Sequence, residues 1–176
     1  MPEGGSGYRR GVRAYVGLGA NLGDREATIR RAVELVGSSP DVVVVGVSSL
    51  RETEPWGPVE QPSYLNGVLA LETDLAPRAL LDLLLDVERR LGRRRDGERW
   101  GPRTIDLDLL LCEGQSVDEP GLTLPHPHLH ERRFALEPLV ELAPDAVVPG
   151  RGSASELLAA LDEDDHRGSA AEIVSP

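Results

Sequence analysis

One short segment, Thr104–Leu111 (T-I-D-L-D-L-L-L), constrains this chain more than any other. Along an extended strand alternate side chains share a face. Asp106 and Asp108 therefore point the same way, roughly 7 Å apart along the strand. Ile105, Leu107, Leu109 and Leu111 point the other way, into a core. Two carboxylates on one face repel each other and resist desolvation, and a divalent cation removes both costs. Mg²⁺ takes one or two carboxylates, keeps several waters and completes its shell with substrate phosphates. The plain alternative is a polar strand face turned to solvent. The preceding segment weighs against it: R-R-R-D-G-E-R-W-G-P-R, residues 93–103, sets a cluster of cations beside the acids. Anionic oxygens held between metal and guanidinium groups are what phosphoryl transfer requires. Trp100 in the same segment offers a flat face to a heterocycle or an arginine.

The flanking sequence supplies the rest of a fold. Arg13 to Leu18 reads as a first strand, and Gly17, Gly19 and Gly23 as the turn after it. Asp24 is placed to cap a helix over 25–36, whose apolar residues Ile29, Ala32, Val33 and Val36 recur at helical spacing. Val42 to Leu50 is a second strand, and Glu54 to Pro62 (EPWGPVEQP) a long ordered loop. Tyr64 to Thr73 is a third strand. Pro77 fits the first turn of a second helix with Leu80, Leu84, Val87 and Leu91 buried and Gly92 as its stop. Thr104 to Cys112 is the fourth strand. A loop over 121–134 and a helix near 155–161 follow. The order β-α-β-β-α-β predicts an α+β, ferredoxin-like fold: an antiparallel sheet with helices packed on one face, plus C-terminal additions. A single domain over 12–161 is expected between a disordered N-terminus, 1–11, and a flexible acidic tail, 162–176.

Composition removes several functional classes. The net charge is −11, which argues against sequence-independent nucleic-acid binding. All 19 basic residues are arginine, so neither a lysine Schiff base nor a Walker lysine is available. Any phosphate grip must come from guanidinium forks, backbone N–H groups and metal. The lone Cys112 excludes an internal disulfide and a cysteine-rich zinc site. No apolar run approaches membrane-spanning length and no apolar signal core opens the chain, so a cytoplasmic protein is expected. A monomer without membrane or nucleic-acid partners is the expected state. The glycines from Gly17 follow G-x-G-x-x-x-G, one residue too long for a dinucleotide fingerprint. P-H-P-H-L-H, residues 125–130, sets histidines at i, i+2 and i+4, but no cysteine or acidic set completes a zinc site. A histidine donating to a phosphate is the better reading. Tyr64 and Asn66 share a strand face, where a ring can stack and an amide can read the edge of a heterocycle; an ordinary polar strand face stays open beside this.

Taken together, YVGLGANLGD (15–24), SSLRETEPWGPVEQPSYLNGVLALET (48–73), ERRLGRRRDGERWGPRTIDLDLLL (88–111) and LTLPHPHLHERRFALEPLVELAP (122–144) resemble the 6-hydroxymethyl-7,8-dihydropterin pyrophosphokinase family. The resemblance implies transfer of pyrophosphate from ATP to the pterin in folate synthesis. It implies two Mg²⁺ ions held by Asp106 and Asp108, and Arg93 and Arg103 acting on the transferring group. It implies ATP contacts at Glu88, Arg95, Trp100, Arg103, Leu109, Thr123, His126 and Arg132. It implies a pterin pocket of Thr53, Trp56, Tyr64, Asn66, Trp100 and Phe134. The sequence departs from the family's bacterial pattern at Leu85, Gly121 and Trp56. The competing reading is a sensor on the same fold that binds nucleotide or pterin without turnover.

Overall fold

A computed structural model describes residues 11–55, 58, 60–92 and 104–171, with side chains to residue 167. Trp56, Arg93, Arg95, Trp100 and Arg103, all expected site residues, lie outside the described residues, as does the expected N-terminal segment up to residue 10.

The main sheet is antiparallel throughout and runs β2-β4-β1-β5: β2 is Val42–Val47, β4 is Tyr64–Thr73, β1 is Val12–Ala20 and β5 is Asp106–Cys112. A short β3, Arg51–Thr53, also pairs with β4. Helix α1 (Arg25–Gly37) follows β1, and α2 (Pro77–Arg90) follows β4. The Asp24 carboxylate accepts from the Ala27 backbone N–H at 3.1 Å, satisfying one of the donors a helix start leaves open. Pro77 opens α2, where its missing N–H costs nothing. Gly92, with φ +84°, ends the helix in a conformation that side chains resist.

Helices cover both faces of the sheet, where the sequence predicts one. On the first face α1 and α2 bury Ile29, Ala32, Val36, Leu80, Leu84 and Val87 against Val16 and Leu18 of β1 and Leu107 and Leu109 of β5. On the second, α3 (Arg133–Leu142) sets Ala135, Leu136 and Leu139 against Val68, Ala70, Leu110 and Leu111. Helix α3 is hidden in the sequence by Pro138, which usually marks a helix end. Leu111 also departs from its expected face. The β1–β5 register shifts between Tyr15 and Val16, and the irregularity turns Leu111 into the second cluster, away from Leu107 and Leu109.

Beyond β5 two small hairpins form, β6 (Val117–Glu119) with β7 (Leu122–Leu124) and β8 (Val147–Val148) with β9 (Gly152–Ser153). Helix α4, Ala154–Ala171, extends through most of the segment the sequence reads as a flexible tail. Arg133 explains part of that: its guanidinium reaches Asp162 at 2.6 Å and Asp165 at 2.7 Å, tying the acidic stretch to α3.

Candidate active site

The second face of the sheet carries a cleft of about 570 Å³ beside α3. Its floor is made by two glycines of β1. The sequence reads Gly17 and Gly19 as part of a turn; they lie inside the strand, and of the three only Gly23 has a positive φ, +63°. In register, Gly19 stands between Asn66 of β4 and Asp106 of β5, and Gly17 between Val68 and Asp108. With strands about 4.8 Å apart, the amide and the carboxylate face each other across a bare backbone roughly 10 Å wide. Any side chain in that gap would fill it. A Cβ on Gly19 would stand 3.1 Å from Asn66 Oδ1, 3.8 Å from the Asp106 Cβ and 3.8 Å from the Tyr64 ring.

One wall is β5. Asp106 and Asp108 both line the cleft, as their alternation predicts, with Leu110 continuing that face into the core. The opposite wall is the β3–β4 pair. Thr53 pairs with Tyr64, and the Asn66 amide donates to the Thr53 hydroxyl, which orients the amide at the cleft edge. The start of α3 supplies Arg132 and Phe134, with the Arg132 guanidinium 5.7 Å from the centre of the Phe134 ring.

His126 closes the β5 side. Its backbone N–H donates to Leu110 O at 2.8 Å, which fastens the histidine loop to the carboxylate strand. Burial, then the nearby Arg132 charge, pushes the imidazole pKa down to about 4, so the ring is neutral at pH 7. The His128 backbone N–H donates to His126 Nδ1 at 3.2 Å. A neutral ring accepting at Nδ1 carries its proton on Nε2, so His126 offers a donor and no charge. Among the described residues no group of three histidine, cysteine or acidic side chains forms a metal cage. The carboxylate pair alone offers hard oxygen donors with room for further ligands, which suits a magnesium ion that completes its shell with water and phosphate.

Eight of the expected site residues meet in this cleft: Thr53, Tyr64, Asn66, Asp106, Asp108, His126, Arg132 and Phe134. Three others do not line it. The Leu109 side chain is buried in the first core cluster, Glu88 is buried on α2, and Thr123 is exposed on β7. Leu109 lies on the face of β5 turned away from the cleft, and α2 and β7, which carry Glu88 and Thr123, pack against that strand. The two floor glycines were legible in principle: in a strand, glycines at i and i+2 on the face opposite Val16 and Leu18 mark a close approach. Glu54 and Glu131, also in the lining, carry no sequence signal of their own, whereas His128, a further lining residue, belongs to the P-H-P-H-L-H segment.

The family model described as 7,8-dihydro-6-hydroxymethylpterin-pyrophosphokinase matches residues 15–144. The chain belongs to that family. A 2-amino-4-hydroxy-6-hydroxymethyldihydropteridine pyrophosphokinase of Methylorubrum extorquens is 46% identical over 86% of this chain and 94% of its own length. The enzyme of that name from Pseudomonas aeruginosa is 47% identical over 84% and 91%. Among solved structures, an HPPK-DHPS in complex with substrates superposes with a TM-score of 0.67 at 12% identity, over 89% of this chain and 44% of that one. At that identity the superposition speaks for the fold. Among the described residues, no helix is long and apolar enough to cross a membrane.

Proposed function

We propose that the chain transfers the pyrophosphoryl group of ATP to the hydroxymethyl oxygen of 6-hydroxymethyl-7,8-dihydropterin, giving the pterin diphosphate and AMP in folate synthesis. The observation that carries the reading is the placement of Asn66 and Asp106 on either side of Gly19. A flat heterocycle lying against Asn66, between the Tyr64 and Phe134 rings, would put its substituent over the glycine floor, toward the carboxylates. The antiparallel order β2-β4-β1-β5 supports the ferredoxin-like reading of the scaffold.

The enzyme's own groups chiefly position and neutralise. The Asn66 amide, oriented by Thr53, reads the ring edge. Asp106 and Asp108 set two negative charges in the wall, which repel a polyphosphate unless cations intervene. Magnesium held there would offset the phosphate charge and make the transferring phosphorus easier to attack. Two ions are the number the family resemblance implies. Arg132 adds a guanidinium, and neutral His126 an Nε2–H donor, toward phosphate oxygens. Arg93, Arg103 and Trp100 keep the roles the resemblance implies. We also place the protein in the cytoplasm as a monomer, working on ATP and the pterin without nucleic-acid or membrane partners.

The test is product analysis. The purified chain is incubated with ATP, Mg²⁺ and 6-hydroxymethyl-7,8-dihydropterin, and AMP is quantified chromatographically with and without the pterin. AMP that depends on both pterin and Mg²⁺ is expected. ATP binding with no AMP would favour the sensor reading, and ADP or free pyrophosphate would favour a hydrolase.

A further inference from the structure

Arg25 belongs to none of the expected site positions, yet it joins both ends of the proline-rich loop. It sits in the first turn of α1 and is half-buried. One arm of its guanidinium, Nη1, donates to the Ser63 carbonyl at 3.0 Å, and the other, Nη2, reaches Glu52 Oε1 at 2.5 Å. Glu52 is the residue before Thr53, where the chain leaves β3 for the loop. Ser63 is the residue before Tyr64, where it returns in β4. Thr53 and Tyr64 are paired and both line the cleft. A single planar fork thus spans the loop's two stems on the side away from the cleft, while Arg51 of the same β3 is held to α3 through Glu137 at 3.0 Å and Glu141 at 3.3 Å.

We propose that Arg25 is a positioning residue for the pterin wall: by holding Glu52 and Ser63 together it sets the spacing and orientation of Thr53 and Tyr64, and through Thr53 the Asn66 amide. The inference rests on the pterin reading of this cleft. A guanidinium suits the task because its donors lie in one rigid plane and can serve a carboxylate and a carbonyl at once; an ammonium on a flexible stem holds the two less firmly. The salt bridge itself, with Glu52 largely exposed, adds little to global stability. Its effect should therefore show in the geometry of the loop stems and not in the melting temperature.

The test measures pterin affinity directly, by calorimetry in the presence of a non-hydrolysable ATP analogue, together with steady-state KM values. For Arg25→Ala we expect pterin Kd and KM to rise by about tenfold while the ATP KM holds within about twofold, because a misplacement well below 1 Å at a binding wall is costly. Arg25→Lys should fall between, and Glu52→Gln, which keeps the Ser63 arm, should lose about two- to threefold. Glu52 is exposed, so that variant folds whatever Arg25→Ala does. Wild-type pterin affinity in both Arg25→Ala and Glu52→Gln overturns the inference, as does an equal rise in both KM values with a fall in melting temperature. A wild-type chain that binds no pterin at all overturns the reading of the cleft and this inference with it.

Discussion

Gly19→Ala should damage pterin binding without weakening the fold. The new methyl would stand 3.1 Å from Asn66 Oδ1. Even a favourable C–H···O contact keeps carbon and oxygen about 3.3–3.6 Å apart. Asn66 must therefore retreat by a few tenths of an ångström. It is held from the other side by its hydrogen bond to Thr53, so it either leaves its rotamer or stretches that bond. The first costs about 0.5–1.5 kcal/mol, and the second draws on a bond worth about 0.5–1.5 kcal/mol. A loss of about 1–2 kcal/mol in pterin binding corresponds to roughly 5- to 30-fold in KM. In the free chain the same strain opposes the gain of about 0.4–1 kcal/mol that alanine brings by restricting the unfolded backbone, so stability should change by less than about 1 kcal/mol. Gly17→Ala is the control: its Cβ would meet the Asp108 Cβ and the Leu110 methyls at an ordinary 3.6 Å. Steady-state kinetics and thermal unfolding on both variants decide the matter. A Gly19→Ala enzyme with wild-type pterin KM would refute the account of the floor, and so would a Gly17→Ala enzyme impaired more than Gly19→Ala in pterin KM.

Other consequences can be checked separately. Chelation with EDTA should abolish turnover, and added Mg²⁺ should restore it; turnover persisting in EDTA would remove the metal from the account. His126 has a folded pKa depressed to about 4, below its ordinary 6.5, so the unfolded chain takes the proton first. Stability should therefore fall as pH drops from about 6.5 toward 4, and His126→Gln should flatten that part of the curve in acid-unfolding measurements. Cys112 is buried, and burial pushes its thiol up to about 11, so iodoacetamide at pH 8 should leave the native chain unlabelled and label it in denaturant. Arg133→Ala should speed amide exchange over the acidic part of α4 while lowering global stability by less than about 1 kcal/mol, since its partners are exposed; unchanged exchange would mean the helix end is held by something else.

The parts of the fold written in local chemistry were legible. The Asp24 cap, Pro77 and Gly92 delimit α1 and α2 because each acts on its own backbone. The Asp106/Asp108 alternation survives because a strand's period does not depend on its neighbours. What depended on distant partners was not legible. Leu111 changes face through an irregularity in pairing with β1, and α3 tolerates Pro138 as part of a packed helix. The stretch after Leu161 is helical although its composition reads as a tail, and Arg133 holds two of its carboxylates. In the site, the reactive-looking residues announced themselves, whereas the i, i+2 spacing of Gly17 and Gly19 hinted only at a close approach: their contribution is the absence of side chains, and what that makes room for follows only once Asn66 and Asp106 are known to flank them.

The most direct test of the central claim is to measure turnover and pterin affinity together in Asp106→Asn and Asp108→Asn. Each substitution keeps the side chain's size and removes the charge that would hold the cation. The account predicts AMP formation reduced by at least about 10³-fold, the scale on which loss of charge stabilisation acts, with pterin still bound within a few-fold of wild type at the Asn66 wall. Near-normal turnover in either variant would contradict the assignment of the two carboxylates as the metal-holding centre of the cleft.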